Sequence, residues 1–68
     1  MTRERFELQY NIKAAELKFQ PHYSGMCEVA EIGPYAVYRD TTEDGYEVVY
    51  NNSVCWWRHD LSKYLPQK

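Results

Sequence analysis

The segment from Tyr35 to His59, YAVYRDTTEDGYEVVYNNSVCWWRH, constrains the fold more than any other stretch of the chain. It holds three runs of aromatic and β-branched residues, 35–39, 46–50 and 54–59, which suit a pleated, half-buried surface. Two clusters of turn formers separate them. Asp44-Gly45 closes the first gap, because glycine takes a positive φ without a Cβ clash. Asn51-Asn52-Ser53 closes the second, since asparagine tolerates the left-handed region. Two hairpins in succession predict an antiparallel meander over 35–59, which can leave one face in water. A one-residue slip in either turn would exchange the faces, so the register stays open. Strict alternation predicts that Trp56 and Trp57 point to opposite sides, one buried and one exposed.

The flanking segments are read against that sheet. Residues 5–13 alternate apolar and polar, with Phe6, Leu8, Tyr10 and Ile12 on one face. Helix propensity competes here, because Glu, Arg, Leu and Gln are good helix formers. On a helical wheel Phe6, Tyr10 and Leu17 oppose Leu8, Ile12, Ala15 and Phe19, and a short helix has little use for two apolar faces. Periodicity therefore predicts a fourth strand at 5–13. Residues 14–19 fit either a continuation after a bulge at the Ala pair or a short helix. Residues 20–25 carry Pro, Ser and Gly and predict a loop. Residues 26–32 predict a short helix with Ser24 as N-cap, a Met26, Val29, Ala30 stripe, and Gly33-Pro34 as its stop; a strand alternating at Cys27 and Val29 is the alternative. Residues 60–66 predict a helical turn capped by Asp60, with Leu61, Tyr64 and Leu65 on one face and Pro66 ending it. The sum is a single α+β domain over 1–68: an antiparallel sheet of three to four strands with one or two short helices.

At 68 residues the chain closes only a small core, and its seven Tyr and two Trp supply large buried area per residue. Two cysteines are too few for a disulfide-stapled scaffold. The start of the chain, Met1-Thr2-Arg3-Glu4-Arg5, is charged and unlike a signal peptide, and no apolar run reaches membrane-spanning length. A cytoplasmic setting with reduced thiols is expected, and Asn51-Asn52-Ser53 is read as a turn despite matching a glycosylation pattern. The formal net charge of −2 argues against general nucleic-acid binding, which rests on phosphate neutralisation.

Four readings of the chemistry compete. His22, Cys27, Cys55 and His59 are the right types for a tetrahedral zinc site, but their spacing matches no finger pattern, and a straight strand would hold Cys55 and His59 about 13 Å apart. Buried thiols and surface imidazoles are the plainer account. No nucleophile elbow, phosphate loop or paired-carboxylate pattern appears, so neither an enzyme nor a cofactor is expected. Trp56, Trp57, Arg58 and His59, with Tyr35, Tyr38, Tyr46 and Tyr50, could stack single-stranded bases, yet Asp40, Glu43, Asp44 and Glu47 share the sheet. Protein binding is the best account, because Trp, Tyr and Arg are the types enriched at binding hot spots.

The expected contact set is Trp56, Trp57, Arg58, Tyr46 and Tyr50, with Glu43, Asp44 and Glu47 as an acidic rim favouring a larger protein or complex with a basic surface. Exposed aromatics or an open strand edge could instead make a homodimer. In size and composition the chain is similar to the small phage-encoded proteins that block host machinery, anti-CRISPR proteins among them. That likeness implies an inhibitor or adaptor and assigns no residue a role.

Overall fold

Thr2 starts the first element. Its backbone is extended and its side chain accepts from the Arg5 amide at 3.2 Å, the geometry of a helix N-cap. Helix α1 runs from Arg3 to Tyr10 and ends at Asn11, whose left-handed backbone (φ 51°, ψ 46°) closes it. The computed structural model describes residues 1–22, 27–40 and 45–65. After α1 come a 3₁₀ turn at Ala14–Glu16, then β1 (Gln20–Pro21), β2 (Cys27–Ile32), β3 (Tyr35–Asp40), β4 (Tyr46–Tyr50), β5 (Ser53–Val54) and a second 3₁₀ turn at Leu61–Tyr64. The five strands form one antiparallel sheet in the order β1-β2-β3-β4-β5. The fold is α+β, with one helix and two 3₁₀ turns around the sheet. Among the described residues no helix is long and apolar enough to cross a membrane.

The meander forms where the turn residues predict it. Tyr50 pairs with Ser53 across Asn51-Asn52, both at positive φ (51° and 66°), as a type I′ hairpin turn requires. Arg39 pairs with Tyr46, and the Asp40 amide bonds the Gly45 carbonyl at 3.0 Å. The rest of that connection, including the predicted Asp44 turn position, lies outside the described residues, as do Ser24, Met26 and Pro66.

Four expectations are corrected. The strand predicted at 5–13 is α1. The two opposed apolar faces of the wheel do not both need burial: Phe6 and Tyr10 are fully buried, Leu8 is left 77% exposed, and Ile12 lies beyond the left-handed Asn11, outside the helix. The helix predicted at 26–32 is instead β2. Gly33-Pro34 does not stop a helix there but turns a two-residue hairpin, with Ile32 paired to Tyr35. Gly33 has φ +56° and Pro34 cannot follow it to positive φ, so the turn is of the II′ kind. The loop predicted at 20–25 begins as β1, whose Gln20 and Pro21 pair with Val29 and Glu28. The third strand, predicted over 54–59, is only Ser53–Val54. Residues 14–16 form a 3₁₀ turn, the helical alternative of that segment.

Pairing fixes which side chains share a face. Ala30, Val37 and Val48 lie in one row and Ile32, Tyr35 and Tyr50 in the next. Against this face pack Phe6 and Tyr10 of α1, then Ile12, Ala14 and Leu61. Phe6 stacks on Tyr46 with ring centroids 5.1 Å apart. Arg39, at the end of the face, sits 3.9 Å over the Phe19 ring and pairs with Glu28 at 2.8 Å. The reverse face carries Val29, Ala36, Tyr38, Glu47 and Val49 in the alternate registers. The Met1 backbone exchanges two hydrogen bonds with Tyr46, adding to the edge of β4 where β5 no longer reaches.

Gly33 has a second constraint besides its φ. A Cβ built there would lie 2.6 Å from Tyr64 Cδ1, because the Tyr64 ring covers the turn. Gly33→Ala is expected to cost about 1–2 kcal/mol for the left-handed conformation alone, and more for displacing the ring. In urea unfolding, Tyr64→Ala made in the Gly33→Ala background should recover the ring part of that loss but not the backbone part.

Candidate aromatic binding edge

The departure of the chain from the sheet after Val54 creates the most exposed aromatic surface. The Cys55 amide still bonds the Val48 carbonyl at 2.7 Å, and its side chain is buried. Tyr10 holds it there. The Tyr10 hydroxyl donates to the Cys55 carbonyl at 3.2 Å, with Cys55 Sγ 3.4 Å away. Gln9 donates to the Trp56 carbonyl at 3.3 Å. Two successive side chains of α1 thus pin residues 55 and 56, and the backbone beyond follows no strand. Alternation fails in consequence. Both tryptophans emerge, Trp56 at 80% and Trp57 at 37% exposure, which corrects the expectation that one would be buried.

The rings form a continuous chain from surface to core. Trp56 meets Trp57 edge-to-face (5.8 Å, 82°), and Trp57 meets Tyr50 the same way (6.1 Å, 74°). Tyr50 leans on the buried Tyr35 at 4.9 Å. Tyr35 in turn touches His59 (5.1 Å), and His59 lies nearly parallel to Tyr64 at 6.3 Å. Aromatic contacts of this kind contribute about 0.5–1.5 kcal/mol each beyond buried area. Trp57 and Tyr50 are therefore braced, and Trp56 joins them through Trp57.

The expected contact set divides. Trp56, Trp57 and Tyr50 come together. Arg58 is exposed on their flank, where it lines an open groove with Arg5 and Leu8. Tyr46 is not available: it is buried against Phe6. Glu47 is exposed, but alternation along β4 puts it on the reverse face, away from Tyr50. Glu43 and Asp44 lie outside the described residues. The charged residues that line this groove beside the aromatic edge are Arg5, Arg58 and Glu4. Sequence reasoning missed Tyr64 and Leu8 as members of this surface, and named His59 only for base stacking. Tyr64 was foreshadowed by the Asp60 cap, whose carboxylate accepts from the Ser62 amide at 3.0 Å and from Asn11 at 3.2 Å. The Ser62 and Asn11 hydrogen bonds hold the Asp60 carboxyl below its ordinary range.

The four residues considered for zinc do not converge: His22 and Cys27 are neighbours, the His22 amide bonding the Cys27 carbonyl at 2.9 Å, but the other two lie elsewhere. His22 packs against Tyr38 at 5.7 Å on the reverse face, Cys55 is in the core, and His59 sits between Tyr35 and Tyr64. Among the described residues no group of three metal-ligating side chains converges. Cys27 and Cys55 are not joined in a disulfide. Comparison with known protein families, curated proteins and solved structures finds no match to this chain.

Burial raises the pKa of the Tyr10 hydroxyl well above the ordinary tyrosine range, reinforced by Cys55, and burial also raises that of Tyr35. Both phenols therefore keep their protons in the folded state while the unfolded chain loses them near pH ~10. Stability should be full below about pH 10 and fall as the pH rises above it, because the folded state then binds more protons than the unfolded one. Urea midpoints at about pH 8 and about pH 11 should differ more in the wild type than in Tyr10→Phe, which leaves only the Tyr35 share of the fall.

Proposed function

We propose that this chain is a non-catalytic protein-binding module, an inhibitor or adaptor that covers a surface of a larger protein or complex. The observation that carries this reading is the braced edge of Trp56, Trp57 and Tyr50, exposed at one end and anchored in the core at the other. Exposed tryptophan and tyrosine with an arginine at their flank are the composition of a hot spot. Engagement of Cys55 by the Tyr10 hydroxyl and by the Trp57 carbonyl at 3.8 Å favours a structural role for that thiol over a nucleophilic one. Two cysteines outside any disulfide suit a reducing, cytoplasmic setting.

Single-stranded nucleic-acid binding is the second reading, favoured by the 80% exposure of Trp56 two residues from Arg58. Ring geometry weighs against it. Successive bases stack on ring faces, whereas adjoining rings here stand 82° and 74° to one another, so a base laid on one meets the edge of the next. A filter-binding titration with single-stranded DNA at low salt separates the readings: retention with a steep salt dependence supports nucleic acid.

The protein-binding reading is tested by affinity capture from the native host, identification of the partner by mass spectrometry, and calorimetric titration of variants. Trp56→Ala or Trp57→Ala is expected to cost about 2 kcal/mol or more of binding, as truncated hot-spot residues do. Unchanged affinity in both variants, each shown to be folded, overturns the aromatic edge as the contact.

A further inference from the structure

We infer that the groove between α1 and the segment after β5 receives an acidic segment of the partner protein that carries an apolar anchor. This deepens the protein-binding reading and rests on it. The groove has a volume of about 690 Å³ and is lined by Thr2, Glu4, Arg5, Leu8, Gln9 and Arg58. Two guanidinium groups reach it from different elements, one from α1 and one from the chain beyond Trp57. Both are exposed, and among the described residues the one ion pair, Arg39–Glu28, involves neither. With Glu4 the lining keeps a net positive charge that an arriving carboxylate neutralises, and arginine's planar fork matches a carboxylate bidentately. Leu8 lines the same groove, 77% exposed, the largest aliphatic side chain that α1 leaves in water. Gln9 joins the groove to the aromatic edge through its bond to the Trp56 carbonyl. A segment with carboxylates on either side of an apolar residue would meet Arg5, Leu8 and Arg58 together and continue onto Trp56.

The groove discriminates against a polyphosphate backbone. Glu4 lines it as well, so an evenly spaced chain of anions is repelled at that point, while a peptide can present a neutral residue there. Leu8 supplies an apolar surface that a phosphodiester has no use for. The total charge of −2 supports discrete recognition by Arg5 and Arg58 over a general positive field.

The test is a fluorescence titration, with Trp56 beside the groove as the reporter. A short synthetic Glu/Leu peptide, the same peptide with Gln for every Glu, and a single-stranded dT oligonucleotide are compared at low salt. The Glu/Leu peptide is expected to bind, to weaken as salt rises, and to lose about tenfold or more in affinity with Arg5→Glu and with Arg58→Glu, each of which removes a charge-assisted hydrogen bond and adds a like charge. Both residues are exposed, and a thermal melt establishes that each variant folds. Equal binding of the Gln peptide, no binding of the Glu/Leu peptide, or binding of the oligonucleotide alone overturns the inference. The same variants titrated against the captured partner separate its failure from that of the broader reading. If Trp56→Ala weakens the complex and the arginine reversals do not, the groove assignment is wrong and the aromatic edge stands. If neither tryptophan variant nor either arginine reversal does, both fall.

Discussion

Two rings from one short helix hold this protein together. Phe6 and Tyr10, a turn apart on α1, enter the sheet and are fully buried there. Removing a buried Phe side chain costs about 3–5 kcal/mol, and a domain of this size has roughly 3–10 kcal/mol in all. Either ring is thus comparable to a large part of the total stability. α1 has little else to contribute: it is eight residues long, too short to persist alone in water. The sheet makes the helix, and the helix closes the sheet.

Tyr10 also links stability to the surface on which function is proposed. Its hydroxyl meets the carbonyl of Cys55, the last residue to bond β4 before the chain turns outward. The exposure of Trp56 and Trp57 follows from a contact in the core. Charge is sorted on the same plan. Glu47 falls on the reverse face of β4, while Arg5 and Arg58, with Glu4, line the groove beside the aromatic edge, so a mildly acidic chain carries a net positive charge there.

What could be read in advance depended on how local the deciding interaction was. The 35–50 hairpin and the Asn51-Asn52 turn were legible because their causes lie within a few residues. α1 was not, because Phe6 and Tyr10 stand four apart, a spacing that satisfies both an alternating strand and a helical turn. Gly33-Pro34 was equally ambiguous: the pair ends a helix or turns a hairpin, and only the pairing of β2 with β3 decides. Trp56 and Trp57 defeated the alternation rule for the same reason. Nothing near them in the chain says that the strand stops at Val54; Tyr10 and Gln9 do. Hence Trp57 and Tyr50 could be named as candidates, while the burial of Tyr46 and the separation of Glu47 from the tryptophans could not.

The sequential order of the five strands has a kinetic consequence. Every pairing within the sheet joins neighbours in the chain, so the meander assembles through short loops at small entropic cost. The bond from Tyr10 to Cys55 spans 45 positions, as does that from Met1 to Tyr46. Loop-closure entropy therefore favours pairing of the strands ahead of these distant closures, and so ahead of the contact that turns the two tryptophans outward.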